Sequence, residues 1–270
     1  MLQSVSASYV QSDLSVSPFP ARRVSASAAM KEERLPFTVR LVRSESDVRK
    51  AVHVRHAAYA RHVPAMAEKL IHPEATDFED GVAVLLAESK LDASPLGTMR
   101  IQTNRFKNLS IEQSIDLPDW LKGRPLAEAT RLGVEQGRTG SFVKTILFKA
   151  FFRYCIESDI EWMVIAARSP LDRQYDQLLF TDIFPGAGFM PMRHGGNLPH
   201  RALCFDVRNA ASRWEEAGHP MLDFMTRTHH PDIDVGAPRL PERRGADDTT
   251  LPGETHVAGR AVRPASMARV

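Results

Sequence analysis

Alternation of apolar and polar residues along several short segments predicts β-strands in the first half of the chain. FTVRLVRS (37–44) alternates with period two, and GVAVLLAE (81–88) and LGTMRIQTNR (96–105) follow a similar pattern with short apolar runs, which is typical of strands. A turn containing Asp, Ser and Pro separates the last two segments. Because such a turn joins neighbouring strands, we expect residues 81–105 to form an antiparallel hairpin.

Helical spacing predicts two longer helices. Ser44, with an Asp three residues later, forms a capping-box pattern ahead of DVRKAVHVRHAAYARH (47–62), which indicates a helix start. A second helix is expected from about residue 139 to 157, because its apolar residues recur at helical spacing. These residues are Phe142, Ile146, Leu147, Ala150, Phe151 and Tyr154. The helix lies between the strand-like run from Leu126 and EWMVIAAR (161–168), which predicts a right-handed parallel crossover.

The remaining segments complete a mixed α/β domain, expected over residues 36–230. They are a short helix and loop in LPDWLKGRP (117–125), a helix started by Ser169 and Pro170, closing strands in GFMPMR (188–193) and HRALCFDV (200–207), and short helices in ASRWEEAG (211–218) and PMLDFMTRTHH (220–230). The domain is therefore expected to combine an antiparallel N-terminal half with a central parallel crossover.

Both ends of the chain lack a sustained apolar period. Residues 1–35 are rich in Ser, Ala and Val, and residues 231–270 are rich in Pro, Gly, Arg, Asp and Thr. We expect disordered tails, because such segments bury too little apolar surface to offset the entropy of ordering. The first tail, with few acids and an Arg22-Arg23 pair, also has features of a transit peptide, which stays an alternative to a loose tail.

Composition adds few constraints on function. Of the 270 residues, 43% are hydrophobic and 25% are charged, and the formal net charge is +2, too small an excess to predict nucleic-acid binding. The two cysteines, Cys155 and Cys204, have no CxxC spacing, so we expect a protein of the reducing cytoplasm. Because no apolar run is long enough for a membrane span and the N-terminus has no continuous apolar segment, we expect a soluble protein without a secretory signal. The histidines lack acids at ligand spacing, so no metal is expected.

Two charges interrupt an otherwise apolar strand in LAEATRLGVEQGRTGS (126–141). In a flat strand Glu128 and Arg131 would point to opposite faces, because they are three positions apart. They can share a site only if the strand is bulged between them. Such a bulge would also free backbone N–H groups near Thr130 to Gly133, which predicts a functional role for this strand.

The residues after that strand have the composition of a phosphate-binding turn. Gly137 and Gly140 lie where a loop meets the predicted helix, with Arg138 and Ser141 beside them. Backbone donors and the positive end of the helix dipole favour a phosphate at such a position. An ordinary turn before a helix would have the same residues, so the interpretation depends on the charged strand next to it.

Other charged residues occur in apolar surroundings and in a suggestive order. Arg55 lies on the first predicted helix with Tyr59 one turn later, Asp77 and Asp80 lie in TDFED, and Arg100 lies inside the third predicted strand. A purely structural ion-pair network would have the same composition as a substrate site.

In order and approximate spacing, these motifs resemble the signature of the acyl-homoserine-lactone synthases. The likeness is more specific to their relatives, the N-acyl amino acid synthases of the FeeM type, which share the acetyltransferase-like (GNAT) fold. It extends over residues 36–230, with the late segment HHPDI (229–233), and its motifs are Arg55-x-x-x-Tyr59, Asp77-x-x-Asp80, Arg100 after LGTM, and Glu128-Ala-Thr-Arg131-Leu132.

The chain departs from the patterns of its apparent relatives at three places. HVPAMAEKL (62–70) lacks the tryptophan of the lactone synthases, and Tyr59 replaces their phenylalanine, which argues against a lactone product. Thr139 stands where the acetyltransferase phosphate loop R/Q-x-x-G-x-G/A has glycine. This last difference argues against binding of free coenzyme A.

The resemblance implies transfer of a long-chain acyl group from a thioester to the α-amine of an amino acid. The donor would be acyl carrier protein or acyl-CoA, with no tightly bound cofactor, and the product would be a lipid. Glu128 would act as general base, since an ammonium group cannot attack a thioester. Arg131 and Arg100 would either hold Glu128 and the two aspartates in place or bind the acceptor's carboxylate.

The remaining predicted site residues fall into two groups. The substrate group is Arg55, Tyr59, Asp77, Asp80 and Thr130, and the donor group is Leu132, Gly133, Val134, Gly137, Arg138, Gly140 and Ser141. Cys155 is expected in the core rather than as a nucleophile. An acidic carrier protein would dock on a basic surface, for which the candidates are Lys122, Arg124, Arg138, Lys144, Lys149 and Arg153.

Three alternatives to an N-acyl amino acid synthase stay open. One is a homoserine-lactone synthase. Another is a different acyltransferase of the same fold, including one tied to an extracellular protein-sorting system. The third is a non-catalytic, acyl-thioester-binding regulatory module, against which the intact Glu128, Arg131 and Arg100 argue.

Overall fold

Most of the predicted alternating segments form one mixed β-sheet. The computed structural model describes residues 30–236. The strands within this range are β1 (Lys31–Glu32), β2 (Phe37–Leu41), β3 (Val82–Ser89), β4 (Pro95–Thr103), β5 (Leu126–Val134), β6 (Trp162–Ala167), β7 (Thr181–Asp182), β8 (Met190–Met192), β9 (Leu198–Asp206), β10 (Thr228–His229) and β11 (Ile233–Asp234). The main sheet has the order β11-β2-β3-β4-β5-β6-β9-β7, β8 pairs with β9, and β1 pairs with β10.

The strand pairing confirms the two predicted connections. Strands β3 and β4 form the antiparallel hairpin, and β2 to β5 are antiparallel throughout. Strands β5 and β6 are parallel, as a helical crossover between them requires. The mixed α/β prediction is therefore correct.

The two predicted long helices are present. The helices are α1 (Glu45–His62), α2 (Pro64–Ala67), α3 (Gly137–Glu157), α4 (Asp172–Gln177) and α5 (Ala210–Glu216). The Ser44 side chain accepts a hydrogen bond from the Asp47 N–H at 3.1 Å, so the predicted cap is formed. None of the helices within residues 30–236 combines the length and apolar character that a bilayer crossing requires.

Alternating side chains of β3 place the sheet between α1 and α3. Leu85 and Ala87 belong to the main core together with residues of α3. Val84 and Leu86 point the other way and form a smaller cluster with Ala51 of α1. The period-two pattern that predicted this strand thus reflects burial of both faces. Cys155 of α3 lies in the main core, as expected.

Three predicted elements differ from the structure. LPDWLKGRP (117–125) forms turns rather than a short helix. Helix α4 begins at Asp172, after Ser169 and Pro170, and the segment 220–230 contains a single π-helical turn, Asp223–Arg227, followed by β10. These segments are too short for apolar spacing to separate a helix from a turn.

Residues outside the expected domain limits of 36 and 230 pair with residues inside them. Strand β1 pairs with β10, and β11 pairs with β2. The Asp232 carboxylate accepts a hydrogen bond from the Leu35 N–H at 2.7 Å, and Ile233 is buried. Two-residue strands give no periodic pattern, so the sequence could not reveal them. The rest of both predicted tails lies outside the described residues.

The turn from β5 into α3 depends on glycine. Gly137 has a φ of 79°. A Cβ added to Gly140 would lie 1.7 Å from the carbonyl oxygen of Glu135, so no other residue fits without a backbone shift.

We expect Gly140→Ala to lower the free energy of unfolding by about 1–3 kcal/mol, because overpacking against a fixed carbonyl forces the backbone to move. Urea denaturation measures the change. The matched control is Thr139→Ala, one residue away and exposed, which should change stability by less than about 0.5 kcal/mol. Equal stability of the Gly140→Ala variant and the wild type would contradict this account of the turn.

Candidate active site

Strand β5 has a bulge at the predicted position. The register pairs Arg100 with Thr130 and Thr98 with Gly133, so Met99 alone faces both Arg131 and Leu132. Arg131 has a φ of 55°, a left-handed conformation uncommon for residues other than glycine. The extra residue of a bulge lacks a ladder partner and re-aims its side chain, which brings Arg131 to the side of the sheet where the charges cluster.

Next to the bulge, β5 and β6 diverge. Their parallel pairing ends at Ala129 and Ile165, although β5 continues to Val134. A cavity of about 460 Å³ occupies the gap. Its lining includes Leu132, Gly133 and Val134, three residues of the predicted donor group. Close packing explains the glycine, because a Cβ on Gly133 would meet the α1 backbone at 3.0 Å.

Two further cavities adjoin this cleft. One, of about 720 Å³, shares Leu132, Lys144 and Tyr175 with it and is lined further by apolar residues such as Phe148 and Met221. The other, of about 80 Å³, is lined by Tyr59, Thr130, Arg131, His194 and His200, among others. The cleft therefore leads to a large, mainly apolar space on one side and a small polar space on the other.

The predicted arginines form a buried ion network with two carboxylates. Arg55 donates to both oxygens of Asp77 at 2.9 and 3.0 Å, and the two side chains are 1% and 0% exposed. Arg100 donates to Thr130 at 3.1 Å and to Glu74 at 3.0 Å. The fold thus brings Arg55, Asp77, Arg100 and Thr130 together.

Glu74 is a central residue of this network, and the sequence analysis missed it. Arg131 Nε and Nη2 donate to the two Glu74 oxygens at 2.6 and 2.7 Å. Hydrogen bonding to Arg131 and the charges of the arginines lower the pKa of Glu74 to about 2, although burial acts in the opposite direction. Burial lowers the pKa of Arg131, but the interactions with Glu74 and Tyr59 together outweigh it and raise that pKa overall.

Asp80, predicted beside Asp77, lies outside the network. It is exposed, and within residues 30–236 it forms no side-chain hydrogen bond or ion pair. Asp77 lies in a 3-10 turn (Ala75–Phe78) and accepts a hydrogen bond from the Glu74 N–H at 2.9 Å. This turn directs Glu74 and Asp77 to the sheet, while Asp80 follows it on the surface.

Glu128 is fully buried, with 0% exposure. Its Oε2 accepts a hydrogen bond from the Ile111 N–H at 3.0 Å. Burial raises the pKa of Glu128 to about 7, while the Ile111 N–H and the Arg100 charge lower it only in part. The expected ion pairs of Arg100 and Arg131 with Glu128 are absent from the described residues, because these arginines pair with Glu74 and Asp77 instead.

His194 is the nearest ionisable partner of Glu128 and was also missed. Its Nε2 lies 3.4 Å from Glu128 Oε1, and that oxygen has no hydrogen-bond partner within residues 30–236. Burial, with a smaller contribution from Arg131, lowers the pKa of His194 to about 4. His194 also lines the small cavity, so it connects that space to the buried acid.

The network holds His194 in position through the backbone. Arg131 Nη1 donates to the His194 carbonyl oxygen at 3.0 Å. The next residue, Gly195, packs so closely on His200 that an added Cβ would lie 2.4 Å from the ring. No sequence motif marks this loop, since its role follows only from contacts across the fold.

The predicted phosphate-binding turn lies at the start of α3. Gly137 and Arg138 are exposed there, α3 has no acid in its first turn, and its N-cap makes no side-chain hydrogen bond. Ser141 lines the large apolar cavity. The turn therefore lies between Val134, which lines the cleft, and Ser141, and it presents uncapped backbone donors, as an anion site requires.

The six basic residues proposed for carrier-protein docking do not form one free surface. Four of them are engaged elsewhere: Lys122 with Asp119, Arg124 with Glu161, Arg153 with Glu157, and Lys149 with backbone carbonyls. Lys149 is also buried. Arg138 and Lys144 have no ion pair within the described part of the chain.

The fold has counterparts among solved structures. FeeM, an N-acyl amino acid synthase from uncultured soil microbes, matches with a TM-score of 0.53 and 19% identity over 70% of this chain and 97% of that chain. The chain has the fold of FeeM. This confirms the acetyltransferase-like fold expected from the sequence.

Two other solved structures align with lower scores. They are a CoA-dependent acyl-homoserine lactone synthase, BjaI, with SAM and isopentyl-CoA (TM-score 0.49, 14% identity, 72% of this chain and 93% of that chain), and an N-acetyltransferase from Staphylococcus aureus Mu50 (TM-score 0.44, 12% identity, 64% and 99%). No family model and no curated protein matches the sequence.

We expect Asp77→Asn to lower the free energy of unfolding by about 3–5 kcal/mol, because it removes the carboxylate that Arg55 binds through two hydrogen bonds and leaves this buried charge with a longer contact to Glu74, at 3.5 Å. The matched control is Asp80→Asn, in the same segment but exposed, which should change stability by less than about 0.5 kcal/mol. Urea denaturation of both variants gives the comparison. Similar losses of stability in the two variants would contradict the assignment of Asp77, and not Asp80, to the network.

Proposed function

We propose that this protein is an N-acyltransferase that moves a long-chain acyl group from a thioester to the α-amine of an amino acid. The observation that carries the proposal is the cleft between β5 and β6, which joins a large apolar cavity to a small polar one beside Glu128 and His194. The fold shared with FeeM supports the same chemistry by analogy.

The acyl donor and the amino-acid acceptor would occupy different cavities. The pantetheine arm would lie along Leu132, Gly133 and Val134, with its phosphate at the start of α3. The acyl chain would occupy the apolar cavity, whose volume of about 720 Å³ falls in the usual range of ligand sites. An acyl carrier protein or CoA would supply this thioester. Lys144, which lines the cleft and the apolar cavity, and Arg138, at the start of α3, have no ion pair among the described residues and could contact the donor.

The reaction requires removal of protons from the acceptor. The ammonium gives up one proton, and its nitrogen attacks the thioester carbon, so that the C–N bond forms and the carbonyl becomes a tetrahedral oxyanion. As this intermediate collapses, the C–S bond breaks, and the nitrogen loses a second proton, which the departing thiolate takes up. Glu128 accepts the first proton when its carboxyl group is ionised. Because Glu128 lines none of the three cavities, we place neutral His194 between it and the amine.

The bulge supplies the second catalytic element. As the thioester carbonyl becomes an oxyanion, backbone N–H groups of residues 130–133 that lack strand partners on the β6 side would donate to it. Preorganised donors of this kind are usually a large part of the catalytic effect. Arg131 and Arg100 then act as positioning residues, because their guanidinium groups are engaged with Glu74 and Asp77.

A non-catalytic binding module is a weaker explanation of the site. Burial disfavours the charged form of Glu128, and one of its oxygens lacks a hydrogen bond within the described residues. An unpaired buried acid lowers stability. A module that only bound thioesters would gain nothing from keeping it. A lactone synthase would use the same pocket, so the product decides between the two enzymes.

The product can be identified directly. Purified protein, given palmitoyl-loaded acyl carrier protein or palmitoyl-CoA and the twenty proteinogenic L-amino acids, should form an N-acyl amino acid, detected by mass spectrometry. The competing acceptor is S-adenosylmethionine, and an acyl-lactone product would favour the lactone synthase. Donor consumption without either product, or no consumption at all, would reject the proposal.

We expect kcat/KM for the acceptor to rise with pH through about 7, where Glu128 becomes a carboxylate able to accept a proton. In Glu128→Gln the rate should fall by about 10²-fold or more, and this rise should vanish. Titration of the acceptor's own amine affects both proteins alike, so their difference isolates Glu128. A Glu128→Gln variant with wild-type turnover would remove Glu128 from the mechanism.

Stability provides the folding control for that variant. The pKa of Glu128 is raised from 4.5 to about 7 in the folded protein. Its contribution to stability is therefore present below pH 4.5 and is lost as the pH rises through 7. Glu128→Gln lacks this loss, so at pH 8 the variant should withstand urea at least as well as the wild type.

A further inference from the structure

We propose that Arg168 binds the α-carboxylate of the acceptor amino acid and so selects amino acids over other amines. The inference rests on the proposed N-acyltransferase function and identifies how its acceptor is recognised. Arg168 directly follows β6, at the point where β5 and β6 diverge. It lines both the cleft and the small cavity that contains His194.

The Arg168 side chain is available for a ligand. It is half-buried, and within residues 30–236 its guanidinium group forms no hydrogen bond and no ion pair. A guanidinium group presents two parallel N–H donors that match a carboxylate. A half-buried arginine without a protein partner, on the wall of a cavity, is suited to an anionic ligand.

The arginines first considered for this role are already engaged. Arg131 uses both edges of its guanidinium group on Glu74 and His194. Arg100 is 2% exposed and lines none of the three cavities around the cleft. The sequence left two roles open for Arg131 and Arg100, holding carboxylates or binding the acceptor. Their contacts support the first role, because both bind Glu74 and Arg100 also contacts Asp77.

The other cations of the cleft fit the role less well. Arg61 donates to the carbonyl oxygens of Ala57 and Val134. Lys144 has no partner among the described residues, but it lines the cleft and the large apolar cavity and not the small cavity. Lys144 is thus placed toward the donor, and Arg168 toward the acceptor.

The small cavity brings the two ends of an amino acid to their proposed partners. The carboxylate and the ammonium of an α-amino acid share one carbon atom, so they must bind within a few ångströms of each other. Arg168 and His194 line the same cavity of about 80 Å³. A carboxylate held by Arg168 would keep the amine beside His194 and thus near Glu128, as near-attack geometry requires.

The test compares the best amino-acid acceptor with its α-carboxamide, which keeps the amine and side chain but lacks the negative charge. Wild type, Arg168→Ala, Arg168→Lys and Arg173→Ala are assayed with the same acyl donor. Arg173 is the matched control, because it is an exposed arginine five residues away without an ion pair among the described residues. Comparing one pair of acceptors across variants cancels their different intrinsic reactivities.

We expect Arg168→Ala to raise the KM for the amino acid by about 10- to 100-fold, the usual effect of losing a hydrogen-bonded charge pair. The KM for the carboxamide and for the donor should stay the same, so the preference for the amino acid falls by the same factor. Arg168→Lys should restore part of this preference, because lysine keeps the positive charge but lacks the two parallel N–H donors. Arg173→Ala should match the wild type.

Two results would overturn the role of Arg168. The first is an unchanged preference in Arg168→Ala. The second is a higher KM for the acyl donor instead, which would place Arg168 at the donor's phosphate. Calorimetric binding of the same amino acids and carboxamides to the resting protein separates this inference from the proposed reaction. Arg168-dependent binding without acyl transfer rejects only the reaction, whereas equal binding to wild type and Arg168→Ala rejects the role of Arg168.

Discussion

The pairing of Arg131 with Glu74 is the interaction on which the site depends. A left-handed φ at a residue other than glycine costs on the order of 1–3 kcal/mol, and the bulge at Arg131 requires it. The two charged hydrogen bonds to Glu74, together with the bond to the His194 carbonyl oxygen, offset that cost. The same contacts fix the bulge, the divergence of β5 from β6 and the loop that carries His194.

Charge balance supports the positioning role that we propose for this network. Three guanidinium groups face two carboxylates, Glu74 and Asp77, which leaves one excess positive charge. That excess acts on Glu128, whose pKa is lowered in part by Arg100, while burial raises it more. Glu128 is therefore held near the middle of its titration at neutral pH, as a residue that accepts and releases protons requires.

Sequence reasoning succeeded where a local rule applied. The spacing of Glu128 and Arg131 in an apolar strand predicts a bulge because strand geometry forbids any other shared site, and the bulge is present. It failed where the three-dimensional fold determines which side chains meet. Glu74 lies in a loop with no period, and Asp77 and Asp80 are indistinguishable by spacing until the 3-10 turn directs only Asp77 inward. His194 reaches Glu128 across 66 positions of sequence, which no local pattern records.

The cavities connect these local facts to the proposed chemistry. A parallel pair such as β5 and β6 normally stays paired along its length, so a divergence at Ala129 and Ile165 exposes backbone polar groups in the middle of a sheet. Unpaired buried backbone groups are unfavourable unless something binds them. An acyl-thioester donor has amide groups along its pantetheine arm that can pair with such a strand. The same gap therefore accounts for both the incomplete sheet and the substrate class we propose.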